Sequence, residues 1–153
     1  MKFSGIVAMS ENGVIGLKNS LPWSIPEELK HFKELTMNKT LIVGRKTFES
    51  LPPLKNRTLI VLSKTKQIEN IPCFSNITEV LRYLRNESID DIMVAGGQEI
   101  YELFYPLLST LHLSIIFGNY EGDKSFSAYN GDDWKVIETK KFIDWTYLKC
   151  DRI

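Results

Sequence analysis

The sequence predicts an α/β fold on a largely parallel sheet that closes with an antiparallel pair of strands, and three observations predict it. Short apolar runs alternate with segments of helical periodicity over the first two thirds of the chain. The last third carries strand patterns with no helix between them. At 153 residues, with 43% hydrophobic and 25% charged side chains, the chain has the length and composition of one globular domain, read as residues 1–153.

The first strand is read at Phe3–Ala8 and the first helix at Ser24–Leu35. Ser24 with Glu27 three residues on has the form of a capping box, and Pro26 suits a first turn. In that helix Ile25, Leu29, Phe32 and Thr36 share a face, with Leu35 at its edge. A second strand, Thr40–Val43, runs into Gly44 and a helix start at Arg45-Lys46-Thr47. A third is Thr58–Leu62. Ile77, Val80, Leu81 and Leu84 mark a helix at Ile77–Leu84. Ile92–Ala95 is the next strand; it meets Gly96-Gly97 and a helix over Gln98–Leu108 that ends near Pro106. Strands at Leu111–Phe117, Trp134–Thr139 and Trp145–Asp151 complete the chain. Sheets of this kind bind ligands beyond the carboxyl ends of their strands, so chemistry is sought there.

Several function classes find no support. Nineteen basic and nineteen acidic side chains cancel, which gives no field to attract nucleic acid or an anionic membrane. No apolar stretch is long enough for a membrane span, and the N-terminal run is too short for a signal peptide. The expectation is a cytoplasmic monomer with two free thiols, Cys73 and Cys150. Four N-x-S/T matches, at Asn38, Asn56, Asn76 and Asn86, carry no weight without secretion. The two histidines, His31 and His112, lack a metal-ligand pattern, so no metal is expected. Gly-x-Ser-x-Gly and Cys/His nucleophile signatures are missing as well. Chemistry borrowed from a redox cofactor is the natural alternative.

One residue of the first helix and three groups at strand ends stand out. At about 100° per residue, Glu28 lies within roughly 60° of the centre of the first helix's apolar stripe. No basic residue shares that stripe. A buried unpaired carboxylate is costly, and a ligand offering a pair of donors would relieve the cost. The Gly96-Gly97 pair allows close backbone approach at a helix start, where a phosphate is favoured, although a tight turn uses the same residues and the G-x-G-x-x-G pattern is not met. Gly44-Arg45-Lys46-Thr47 lacks the first glycine and spacer of a P-loop, but its adjacent cations suit a phosphate. Ser63-Lys64, after the third strand, repeats the theme. Two such sites together favour a dinucleotide phosphate.

In order along nearly the whole chain, these residues resemble the dihydrofolate reductases. The resemblance rests on Ile6-Val7-Ala8, Gly13-Val14-Ile15-Gly16, Leu21-Pro22-Trp23, and the helix with Glu28 and Phe32. It continues through Val43-Gly44-Arg45-Lys46-Thr47-Phe48-Glu49-Ser50-Leu51, Leu54 with Arg57, and Leu62-Ser63. Ala95-Gly96-Gly97 with Tyr101, Ser114 and Glu121-Gly122-Asp123 complete it. The resemblance implies a predominantly parallel sheet of about eight strands with an antiparallel C-terminal strand and about four flanking helices. It implies reduction of 7,8-dihydrofolate to 5,6,7,8-tetrahydrofolate with NADPH, by hydride transfer to pterin C6 and protonation of N5. That activity supports one-carbon and thymidylate metabolism and is the target of antifolates.

The same resemblance assigns roles. Glu28 would hold the pterin N3 and 2-amino group, Trp23 and Ser114 would order water and carboxylate, and Leu21 belongs to a loop that closes over the site. Ile6, Ala8, Leu29, Phe32, Leu51, Leu54, Ala95 and Tyr101 would line the substrate slot, and Arg57 would take the glutamate α-carboxylate. Ala8, Ile15 and Gly16 would flank the nicotinamide. Gly96, Gly97 and the helix start through Gln98, Glu99, Ile100 and Tyr101 would take the pyrophosphate. Gly44, Arg45, Lys46, Thr47, Leu62, Ser63 and Lys64 would meet the adenosine end, with Arg45, Ser63 and Lys64 on the 2′-phosphate. Gln98 and Glu99 replace a third glycine and a basic residue common in the family, and Ala95 is smaller than the usual branched residue. Two alternatives share the scaffold: the pyrimidine reductase of riboflavin synthesis, which lacks Leu-Pro-Trp with a helix carboxylate and Arg57, and a non-catalytic nucleotide-binding protein.

Overall fold

A computed structural model describes all residues, 1–153. Its elements in chain order are β1 (Lys2–Ser10), β2 (Val14–Gly16), α1 (Pro26–Thr36), β3 (Thr40–Gly44), α2 (Arg45–Ser50), β4 (Thr58–Leu62) and β5 (Cys73–Phe74). There follow α3 (Ile77–Asn86), β6 (Asp91–Val94), α4 (Gln98–Phe104), β7 (Leu108–Ile116), β8 (Lys124–Ser125), β9 (Trp134–Lys141) and β10 (Trp145–Arg152). Eight strands form one sheet in the order β5-β4-β3-β6-β1-β7-β10-β9, and β2 pairs with β8 in a separate ribbon. Within the eight-stranded sheet only β10 opposes its neighbours: it runs antiparallel to both β7 and β9, while the other pairings of that sheet are parallel. The predicted fold class therefore holds, with the C-terminal strand inserted between β7 and β9.

Alternation along the central strands sorts the core into two layers. Phe3, Val7, Met9, Ile42, Ile92 and Val94 face α3 and α4, where Val80, Leu84, Ile100 and Phe104 complete the large cluster. Ile6, Leu41 and Met93 face the other way, under Phe32 and Leu35 of α1. The helix after β1 thus lies on one face and the helix after β6 on the other. β1 and β6 are neighbours whose pairing stops at Gly5 and Val94. Chains leaving adjacent strands toward opposite faces open a crevice at their carboxyl ends, and this one opens between Ile6–Ala8 and Ala95–Gly97.

Local expectations shift in three places. α1 begins at Pro26 with Ile25 as N-cap and no side-chain cap, so Ser24 and Glu27 do not form the expected capping box. Proline at the first helical position already lacks the N–H that a cap would satisfy, and the chain enters the helix one residue later. The stripe of α1 is also rotated: Glu28 is 8% exposed and Thr36 fully buried, whereas Leu29 is 39% exposed. The helix segment after Gly97 ends at Phe104, a single 3-10 turn covers Tyr105–Leu107, and β7 starts at Leu108 rather than Leu111. Pro106 cannot continue an α-helical hydrogen-bond ladder, which explains the break.

Candidate active site

Glu28 sits on the sheet side of α1, and its burial raises the carboxyl above the ordinary value, with a hydrogen bond from the Ser114 hydroxyl opposing that rise. It takes part in no ion pair. Ser114 is brought there by register: it pairs with Ala8 on β1 and with Tyr147 on β10. Across the crevice, Tyr101 of α4 donates its phenol to the Ile6 carbonyl at 2.8 Å. Burial, and then the Glu28 charge, hold that phenol protonated far above its usual range. Glu28, Ser114, Ile6 and Tyr101 thus converge from four elements on one cleft.

The cleft continues along α1. Phe32, Leu54 and Ala95 pack on Ile6, Leu41 and Met93 as an apolar wall. At its far end Arg57 donates from Nε to Thr36 Oγ1 at 3.2 Å, from Nη1 to the Lys55 carbonyl at 2.6 Å and from Nη2 to the Lys33 carbonyl. Three of five N–H groups are used, and one on each terminal nitrogen is left for a bidentate acceptor. Thr36 lies eight residues beyond Glu28, or about 12 Å along the helix. One end of the cleft thus offers a carboxylate and the other a guanidinium fork. Leu51 is half-buried, while Leu29 is more exposed. Sequence reasoning saw Thr36 only as a stripe residue. Its hydroxyl donates to the Phe32 carbonyl at 2.9 Å and accepts from Arg57, a back-bonded position open to a threonine in a last turn.

Trp23 is buried among Ile116, Trp145 and Tyr147, with Ala8 packed against them, and lies edge-on to Tyr120 at 5.4 Å. Its Nε1 has no acceptor in the protein. Leu21, just before it, is half exposed.

A second row follows the carboxyl edge of the sheet. Gly44 pairs with Leu62, so Arg45 and Ser63 leave adjacent strands side by side. The Gly44 N–H donates to the Gly96 carbonyl at 2.8 Å, joining the end of β3 to the turn after β6. Ser63-Lys64, Arg45 and Gly96-Gly97 therefore span three strand ends, about 10 Å. Gly96 has φ +107 and is pressed on the Tyr101 ring, and Thr47 Oγ1 lies 3.3 Å from where a Cβ on Gly97 would stand. No larger residue fits either position without displacement. Ile100 is buried, and its Cγ1 lies 3.2 Å from where a Cβ on Gly44 would stand. Lys46, Lys64 and Glu99 are exposed. Arg45 forms an ion pair with Glu49 at 2.9 Å, and the Ser63 hydroxyl accepts from the Lys66 N–H at 3.1 Å. Ile15 and Gly16 lie in β2, which packs beside β1, with Ile15 against the main core cluster. Sequence reasoning gave Asp123 no role, yet its carboxylate accepts from the Lys18 N–H at 3.1 Å and its own N–H donates to Gly16.

The sequence profile described as Dihydrofolate reductase matches residues 2–149. The chain belongs to the dihydrofolate reductase family. It is 41% identical over 152 residues to the dihydrofolate reductase type 6 of Proteus mirabilis, with 96% of each chain covered. It is 32% identical over 162 residues to the dihydrofolate reductase of Staphylococcus aureus, with 99% of each covered. Among solved structures it is similar to dihydrofolate reductase from Enterococcus faecalis complexed with NADP(H) and RAB-propyl, at a TM-score of 0.87 and 32% identity over 99% of this chain and 96% of that one. The turn after β6 adjoins the Ile6 end of α1's apolar wall, since Gly96 lies against the Tyr101 ring whose hydroxyl donates to the Ile6 carbonyl. No helix of the chain is long and apolar enough to cross a membrane.

Proposed function

We propose that the chain reduces 7,8-dihydrofolate to 5,6,7,8-tetrahydrofolate with NADPH, adding hydride at pterin C6 and a proton at N5. The observation that carries this reading is Glu28, a buried carboxylate with no cationic partner in a cleft whose far end presents the Arg57 fork. Glu28 accepts hydrogen bonds from the pterin N3 and 2-amino groups and polarises the ring. The apolar wall of Ile6, Phe32, Leu54 and Ala95 holds the flat middle of the substrate and excludes water. Arg57, pre-oriented by Thr36, pairs with the α-carboxylate.

The residues along the strand ends fit a phosphorylated dinucleotide: a glycine turn in which a Cβ would crowd Tyr101 or Thr47, with cations at the far end. Gly96 and Gly97 with the backbone of Gln98 to Tyr101 hold the pyrophosphate, and Arg45, Ser63 and Lys64 hold the 2′-phosphate. Ala8, Ile15 and Gly16 flank the nicotinamide. NADPH, when bound, supplies the hydride. Trp23 Nε1, which has no acceptor in the protein, and the Ser114 hydroxyl orient the water that delivers the proton to N5. Glu28 holds the ring and its charge in place for that transfer.

The chain acts on this reading as a cytoplasmic monomer with no nucleic-acid partner, in keeping with its balanced charge; light scattering of the purified protein tests the monomer. The reaction is tested by loss of NADPH absorbance with dihydrofolate, with the pyrimidine precursor of riboflavin, and with no substrate. Oxidation with dihydrofolate alone is expected. Folded protein that oxidises NADPH only with the pyrimidine, or not at all, overturns the reading.

A further inference from the structure

Gln98 occupies the first position of α4, directly after the Gly96-Gly97 turn, and its side chain points away from that turn's row. Its Oε1 accepts from the Ser125 N–H at 3.0 Å, and its Nε2 donates to Glu102 Oε1 at 3.2 Å. The orientation of the amide is dictated by its partners, since a backbone N–H can only donate and an ionised carboxylate can only accept. Glu102 also accepts from the Ser127 hydroxyl at 2.6 Å, and both bonds hold its carboxyl below the ordinary value. Two side chains of one helix face thereby grip residues 125–127.

That strip is the outer strand of the ribbon over the site. Val14 pairs with Ser125 and Gly16 with Lys124, and the Phe126 N–H donates to the Gly13 carbonyl at 3.0 Å. One residue further back, Asp123 holds Gly16 and Lys18. The Ser125 N–H that Gln98 takes faces away from β2, so the glutamine amide stands where a third strand would. Gln98, next in the chain to the turn after β6, is thus joined through Ser125 and its chain neighbours to the segment carrying Ile15 and Gly16.

We infer that Gln98 is a positioning residue that ties the turn proposed to hold the cofactor's phosphates to the loop flanking its nicotinamide, so that loss of its amide loosens that loop and slows hydride transfer. The inference rests on the function proposed above. The amide acts through Ser125 and touches neither substrate nor nicotinamide. Its backbone N–H, at the first turn of α4, stays available to the pyrophosphate.

Three proteins test it: wild type, Gln98→Ala and Gln98→Glu. In wild type, NADPH is expected to slow hydrogen exchange at the Lys18 amide. In Gln98→Ala that protection is lost, hydride transfer to dihydrofolate slows about fivefold to tenfold, and the KM for NADPH stays within about twofold, as for loss of hydrogen bonds outside the cofactor contacts. Gln98→Glu keeps an acceptor for Ser125 but sets a carboxylate against Glu102; Lys124 and Glu99, the charged chain neighbours of Ser125 and Gln98, are exposed. That variant is expected to be defective in weakly alkaline buffer. In mildly acid buffer it should recover relative to wild type at the same pH, because one shared proton restores the bond. Recovery of the transfer rate must be accompanied by recovery of the protection at Lys18, which a role confined to holding α4 does not require. Wild type that fails to reduce dihydrofolate overturns the proposed function and this inference with it. Active wild type, with Gln98→Ala showing unchanged transfer and unchanged protection at Lys18, overturns the coupling alone. Should Gln98→Ala not fold, Gln98→Glu with a pH-independent defect overturns it equally.

Discussion

Ser114 on β7 stands near the Glu28 carboxyl under α1, and two influences on that carboxyl oppose each other: burial pushes it up and the Ser114 hydroxyl pulls it back. Ser114→Ala removes the restraint. The carboxyl then rises further, the ionised fraction at neutral pH falls, and the pH at which activity changes moves upward. A pH profile of hydride transfer that does not move contradicts the assignment.

Glu28 also has a thermodynamic signature. Its folded value is raised above the ordinary carboxyl value of 4.5, so the native state holds the proton more tightly than the unfolded chain. Stability contributed by that proton is present below the ordinary value and is lost as pH rises through the raised one. Glu28→Gln escapes this loss. The ligand-free variant should melt higher than wild type at neutral pH, with the advantage vanishing in acid. Thermal melts across pH check it, and a variant less stable at neutral pH would be the opposite result.

Arg57 depends on Thr36 for its aim, since the Thr36 hydroxyl takes the Nε donor at 3.2 Å. Thr36→Val keeps the volume and removes that acceptor. KM for dihydrofolate should rise about fivefold, the worth of one hydrogen bond, with NADPH affinity unchanged. Equal loss of both would mean that the substitution disturbs the fold instead.

Gly122 sits against β2. A Cβ there would overlap Val14 Cγ1 and lie 2.7 Å from the Gly16 carbonyl oxygen, which is backbone and cannot yield cheaply. Gly122→Val is therefore expected to displace the loop carrying Ile15 and Gly16 and to slow hydride transfer at least tenfold, on the order of 1.4 kcal/mol of barrier. The sheet should stay intact by circular dichroism. A rate within twofold of wild type contradicts the close packing.

Arg45 and Glu49 make a partly exposed pair at 2.9 Å, so the anion expected at Arg45 competes with a resident carboxylate. Glu49→Gln should tighten NADPH about twofold to fivefold, the scale of such pairs, with a smaller change for NADH. Equal changes for both cofactors would remove Arg45 from the 2′-phosphate.

What the sequence made legible follows from period. Phe3–Ala8 and Ile92–Ala95 were legible as strands from their apolar runs, while the sorting of Ile6 and Met93 from Val7 and Val94 onto opposite faces comes from the structure. A helix stripe is broader, so the same reasoning put Leu29 near its centre and left Glu28 at its side, whereas the sheet packs against Glu28. β2, β5 and β8, of two or three residues, are too short to show a period and exist through their partners. The Arg57–Thr36 bond spans 21 residues and the Ser125–Gln98 bond 27. Neither could be read from local pattern. The strand-end residues Gly44-Arg45, Ser63 and Gly96-Gly97 were legible because glycine and cations at those places have a local reason.

The most direct measurement is the single-turnover rate of hydride transfer from NADPH to dihydrofolate by wild type and Glu28→Gln, with NADPH affinity measured on both. Wild type should transfer hydride, and Glu28→Gln should lose most of that rate while binding NADPH as tightly as wild type. A variant that keeps its rate, or that loses cofactor binding in proportion, would remove Glu28 from the substrate cleft.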